Sequence, residues 1–137
     1  MADELILDAT VAAKCFFHED GSEIAQPMVA SGVRLVAPDL IHTEFAAIAA
    51  LKARRGETTP EIAAAAVAHL GGLLDISVPV TPLVSRAAAL AKATGCSAEE
   101  GVYLALAEQR GRPLITADAG LVGRVTYGGL GHLIELL

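Results

Sequence analysis

The chain has 137 residues, of which 53% are apolar and 4% aromatic, and 16 acids against 10 bases give it a formal net charge of −6. One domain of this length buries about two thirds of its unfolded surface without disulfides or structural metal, and no apolar run reaches the roughly 20 residues of a membrane span. The acidic balance argues against a generally basic, phosphate-seeking surface, although acids gathered in one cation-binding site would leave room for a local one.

The first residues, MADELILDAT, carry two acids and no basic segment, so they read as a strand and not as a secretory signal, and a cytoplasmic protein is expected. Cys15 and Cys96 can make at most one bridge and read as small buried hydrophobes in a reducing compartment.

In chain order, Leu5 to Leu7 is a short apolar strand, TVAAKCF is helix-compatible, and Gly21 breaks it before a second helix from about Ser22 to Ala30. Val33 to Pro38 is β-branched and ends in proline, as a second strand does. DLIHTEFAAIAALKARRG spaces Glu44, Ile48 and Leu51 helically and stops at Gly56 behind basic residues that suit a helix C-terminus. TPEIAAAAVAHLGGLL opens with Thr59 as cap and Pro60 in the first turn. DISVPV is a third strand, TPLVSRAAALAKATG and SAEEGVYLALAEQRG are helices closed by Gly95 and Gly111, PLITAD is a fourth strand, and HLIEL a fifth.

Short apolar strands alternating with helices predict a single α/β domain over residues 1–137, a largely parallel sheet covered on both faces. Ligands of such sheets sit outside the carboxyl ends of the strands. Asp8 and Asp118 end strands at that edge, Glu44 lies early in the helix after the second strand, and Glu99 and Glu100 open the helix before the fourth. Each acid also has a structural reading. Asp8 and Asp118 suit helix N-caps, Ser97 and Glu100 have capping-box spacing, and Glu44 suits a solvated face. Capping alone leaves unexplained why full carboxylates, rather than Ser or Asn, stand at several of these points. Two such charges about 4 Å apart repel by about 4 kcal/mol at an effective dielectric near 20. A converged set therefore calls for a cation, and hard oxygen ligands without a Cys/His cluster point to Mg²⁺ or Mn²⁺ rather than zinc.

LILDATVAAKCFFHEDGSE, VRLVAPDLIHTEF and CSAEEGVYLALAEQRGRPLITADAGL together resemble the successive motifs of the PIN-domain ribonucleases, in particular the VapC-like toxins of bacterial toxin–antitoxin pairs. The resemblance implies a three-layer α/β/α sandwich with a parallel five-stranded sheet and metal-dependent cleavage of RNA. It places the family's acids on Asp8, Glu44, Glu100 and Asp118, and the hydroxyl supporting the last carboxylate on Thr116. Asp8, Glu100 and Asp118 would hold Mg²⁺ or Mn²⁺, with Glu44 completing the ring or orienting the attacking water. It further implies a homodimer and a cognate antitoxin that covers the acidic rim and offers it a basic residue. EIAAAAVAHL, with the helix before it, is small-residued enough to admit a close helix partner, or else packs internally.

This chain departs from the family pattern at Glu100, where Asp is usual, at Cys15, where an aromatic often stands, and at Gly101, where Ala is more usual. Lys14, Arg34, Lys52, Arg54 and Arg55 are candidate phosphate contacts, with solvated surface as the competing role; His42 is a weaker one, and Tyr103 reads as core. Two alternatives remain. One is a receiver-like or phosphatase-like domain with Asp8 as phospho-acceptor, although LDAT lacks the second acid of the phosphatase pattern. The other is a catalytically silent PIN fold that binds without cutting.

Overall fold

Glu4–Leu7 (β1), Arg34–Pro38 (β2), Ile76–Val78 (β3), Leu114–Thr116 (β4) and Ile134–Leu136 (β5) form one all-parallel sheet in the computed structural model, which describes residues 3–137. The spatial order is β3, β2, β1, β4, β5. Parallel neighbours need long crossovers, and helices supply them. Ala9–Phe16 (α1) and Ser22–Val29 (α2) join β1 to β2; Leu40–Arg54 (α3) and Pro60–Leu73 (α4) join β2 to β3; Val84–Thr94 (α5) and Ala98–Arg110 (α6) join β3 to β4; Ala119–Tyr127 (α7) joins β4 to β5. Helices α1 to α4 pack on one another and α5 to α7 do likewise, giving the predicted three-layer α/β/α sandwich.

Local chemistry explains most boundaries. Thr59 accepts the amide of Ile62 and stands before Pro60, and Gly95 and Gly111 close α5 and α6 in the left-handed conformation that β-carbons resist. Two expected elements are subdivided. Thr81–Leu83 forms a 3₁₀ turn ahead of α5, and Gly131–Leu133 forms another ahead of β5. Of helix α7 only the start was legible, in Asp118 as a cap, because Gly120, Gly123 and the β-branched Val122, Val125 and Thr126 are weak helix formers. Its Asp118 cap and the burial of Leu121 and Val125 hold it instead.

Strands β1 and β4 are buried because helices cover both faces: Ile6, Leu7 and Leu114 have no exposed surface. Helix α6 is buried along the whole stretch from Gly101 to Ala107, as a helix enclosed between sheet and neighbours must be. Its approach to α5 is close enough that a β-carbon at Gly101 would stand 2.3 Å from the Ala87 carbonyl oxygen. Strand order reverses at β1, which has β2 on one side and β4 on the other. Such a reversal opens a crevice at the carboxyl ends of the central strands.

Candidate active site

Asp8 leaves β1 at that crevice and caps α1. Its Oδ1 accepts the Thr10 amide at 3.0 Å, the Val11 amide at 3.2 Å and the Thr10 hydroxyl at 2.5 Å, while Oδ2 accepts the Thr116 hydroxyl at 2.5 Å. The Thr116 oxygen accepts the Asp118 amide at 3.1 Å, and the Thr10 oxygen accepts the Ala117 amide, also at 3.1 Å. A belt of hydroxyl and carboxylate groups thus ties the end of β1 to the end of β4. The resemblance had given Thr116 to the last carboxylate. Its hydroxyl instead donates to the first, because β1 and β4 are hydrogen-bonded neighbours and Leu7 lies opposite Ile115.

Asp118 caps α7 through Oδ1, which accepts the Leu121 amide at 3.1 Å. Glu100 completes the capping box with Ser97: Oε1 accepts the Ser97 amide at 2.9 Å, and the Ser97 hydroxyl accepts the Glu100 amide at 3.1 Å. Its other oxygen accepts from the Arg124 guanidinium at 3.3 Å. Glu44 accepts the Tyr103 hydroxyl at 2.6 Å. Site and capping readings therefore coincide in Asp8, Glu100 and Asp118, which cap helices and also, with Glu44, line one cavity of about 350 Å³. The four acids share a cavity without sharing a point. Among the described residues no three His, Cys, Asp or Glu side chains are gathered as a ready cation cage. The donor set itself, carboxylates with no Cys or His in the lining, is that of a hard divalent ion.

Charge is costly here. Burial holds the Asp8 carboxyl above its ordinary 3.8, against hydrogen bonds from Thr10, Thr116 and the first amides of α1. Burial likewise raises Glu44 above 4.5; the Tyr103 bond opposes this, and the negative charges of Asp8, Glu99 and Glu100 add to it. Burial and the facing Glu44 carboxylate push the Tyr103 phenol up, so it remains a donor.

These shifts have a measurable sign. Groups raised on folding contribute stability that is full below their unfolded values and is lost as pH rises through their folded ones. Glu19 titrates the other way. Burial pushes it up, but Lys52 and Lys14 outweigh that and hold it low, so its contribution grows with pH and is complete about one pH unit above its ordinary 4.5. Beyond that point the metal-free melting temperature should fall as pH rises, and less so in Glu44→Gln. Melting curves in chelator across that range check it, and a midpoint that climbs with pH would contradict the assignment.

Three residues matter here beyond the predicted acids. Tyr103 is core by burial, yet its hydroxyl reaches the cavity; its place three residues after Glu100, on one helical face, was the available signal. Thr10 follows Asp8 by two residues as Thr116 precedes Asp118 by two, and these two strand ends, each with a hydroxyl and an acid, were its signal; Arg124 gave none. Of the basic candidates, Lys14, Lys52 and Arg55 line a second cavity beside the first, and Arg54 is exposed at the end of α3. Arg34 lies away from the site: it pairs with Glu4 at the opposite edge of the sheet, where Glu4 and Arg34 are register partners. His42 faces α4, where a β-carbon at Gly71 would stand 4.0 Å from its ring.

No family model and no curated protein matches the chain. Among solved structures it is similar to PAE2754 from Pyrobaculum aerophilum, with a TM-score of 0.71 over 90% of this chain and 87% of that one, at 19% sequence identity. A likeness at that identity speaks for the fold alone.

Proposed function

We propose that this chain is a metal-dependent ribonuclease of the PIN-domain kind that hydrolyses RNA phosphodiester bonds, the toxin of a type II toxin–antitoxin pair. The observation that carries the reading is the meeting of Asp8, Glu44, Glu100 and Asp118, from four separate segments, in one cavity at the strand-order reversal. Asp8, Glu100 and Asp118 would hold Mg²⁺ or Mn²⁺, directly or through water. When bound, the ion polarises the phosphate and lowers the pKa of a bound water.

The protein's own part is position and proton affinity. Thr10 and Thr116 fix the Asp8 carboxylate from both sides, and the Tyr103 hydroxyl fixes Glu44. Glu44, with its proton affinity raised by burial and by its acidic neighbours, suits the acceptance of a proton from the attacking water. Glu100 serves the cation once it gives up its bond to Arg124.

The direct experiment is RNA cleavage with Mg²⁺ or Mn²⁺, with chelator and Asp8→Asn as controls. Independently of catalysis, metal at a hundredfold excess over its dissociation constant should stabilise the fold by about 2.7 kcal/mol. An unchanged melting temperature at saturating Mn²⁺ would remove the shared cation site.

A second reading, a silent PIN-like binding module, is favoured by one observation: both Glu100 oxygens are already engaged, by the cap and by Arg124. The phospho-acceptor alternative is disfavoured. LDAT lacks the second acid of the phosphatase pattern.

The proposal extends to a homodimer and a cognate antitoxin. Helix α4 supports it in part: Ala63, Ala66 and Leu70 pack inward, while Ile62 and Val67 lie on its exposed side. Light scattering that gives the mass of one chain would exclude the homodimer. Among the described residues no helix is long and apolar enough to cross a membrane.

A further inference from the structure

We propose that the basin beside the acidic cavity binds a phosphate of single-stranded RNA, the neighbour of the phosphate presented to the carboxylates; the identity of that ligand rests on the ribonuclease reading. The basin has a volume of about 270 Å³ and shares Thr10 and Ile48 with the acidic cavity, so the two form one continuous depression. Lys14 comes to it from α1, Lys52 and Arg55 from the C-terminal end of α3. Against Glu19 and Glu57 they leave an excess of one positive charge, in a chain whose overall balance is −6.

The two lysines are held in an unusual way. Their side chains are 17% and 18% exposed, and both point at the carboxylate of Glu19. The Lys14 ammonium donates to Glu19 Oε1 at 3.2 Å and to the Asp20 carbonyl at 2.6 Å; that of Lys52 donates to Glu19 Oε2 and lies 5.5 Å from the centre of the Phe17 ring. Two ammonium groups from different helices, each partly withdrawn from water, converge on one oxyanion. Glu19 thus occupies the place of a phosphate, and being in the loop after α1 it can swing aside for one. The wall of Ala13, Ile48 and Leu51 offers the attached sugar or base an apolar surface. An acidic cavity that takes a cation beside a basic basin that takes an anion matches a phosphodiester chain crossing both.

The competing role is an ion-pair clamp between the loop and α3, and the sign of one mutation separates the two. Binding of a labelled single-stranded RNA oligonucleotide to Asp8→Asn protein, followed by fluorescence anisotropy over a salt series, is the measurement. Lys52→Gln should weaken binding and flatten the plot of log affinity against log salt by about 0.7, the loss of one single-strand phosphate contact. Arg55→Gln, at an exposed position, should weaken binding without risk to the fold. Glu19→Gln should tighten binding, because it removes the competing anion. If Glu19→Gln and Lys52→Gln only lower the melting temperature and leave affinity and salt slope unchanged, the basin is a clamp and the proposal falls, even if wild-type protein cuts RNA. If affinity and slope shift as expected while wild-type protein cuts nothing with Mg²⁺ or Mn²⁺, the RNA site stands and the nuclease reading fails.

Discussion

Asp8→Asn protein is expected to cut RNA about a thousandfold more slowly than wild type while melting no lower in the absence of metal. Asn is as good an N-cap as Asp, so its amide oxygen keeps the Thr10 and Val11 amides that Oδ1 accepts. On the other side the amide nitrogen can donate to the Thr116 oxygen, which accepts the Asp118 amide and has a second lone pair. Folding therefore loses little, and it is relieved of a buried charge whose proton affinity burial has raised. Cleavage loses a charged ligand to an ion that contributes several kcal/mol to the transition state; at about 1.4 kcal/mol per tenfold, that is about a thousandfold. Single-turnover cleavage and melting in chelator, on the same preparation, decide it. A variant that melts lower yet cuts at the wild-type rate would show that capping is the whole role of Asp8.

Gly101→Ala should destabilise the protein by about 3 kcal/mol, at the upper end of the cost of overpacking a core. Helix propensity alone forecasts the reverse, a gain of about 1 kcal/mol from replacing a helical glycine. The contact decides the sign, because the new methyl would lie 2.3 Å from the Ala87 carbonyl oxygen and 3.0 Å from its carbonyl carbon. Backbone on both sides cannot turn out of the way as a side chain would, so α6 must shift off α5. At this chain length such a loss lowers the melting temperature by about 10 °C. Thermal melting of the single variant checks it; a higher midpoint would mean that the two helices stand farther apart. Gly101 directly follows Glu100, so a shift of α6 also moves that acid, and Ala at this position is expected to disturb metal affinity together with stability.

The sheet and most of its helices were legible because the signals are local: apolar runs of a few residues, a Thr59 and Pro60 start, stops at Gly95 and Gly111. The capping box was equally legible, since Ser97 and Glu100 are both its members and its spacing. What escaped the sequence is long-range. Tyr103 and Glu44 meet across 59 residues of chain, and no spacing rule connects them. Arg34, near the start of the second strand, already belonged to the amino edge on the sequence, but its partner Glu4 emerges only from the register of β1 and β2. Which oxygen of which acid faces a helix amide or the cavity is likewise a matter of rotamers, and rotamers answer to packing.

The belt from Thr10 through Asp8 to Thr116 joins residues 108 positions apart. A ribosome making about 5 to 20 residues per second needs roughly 5 to 20 seconds to travel that far. Throughout that interval β1 can pair with β2 on one side only, and its other edge stays open to any strand that comes by. Asp8, too, lacks the Thr116 half of its support until that residue has emerged. The growing polypeptide therefore carries Asp8 and Glu44 unassembled until Glu100 and Asp118 have been added, and whatever chemistry the four carboxylates perform begins only after that point.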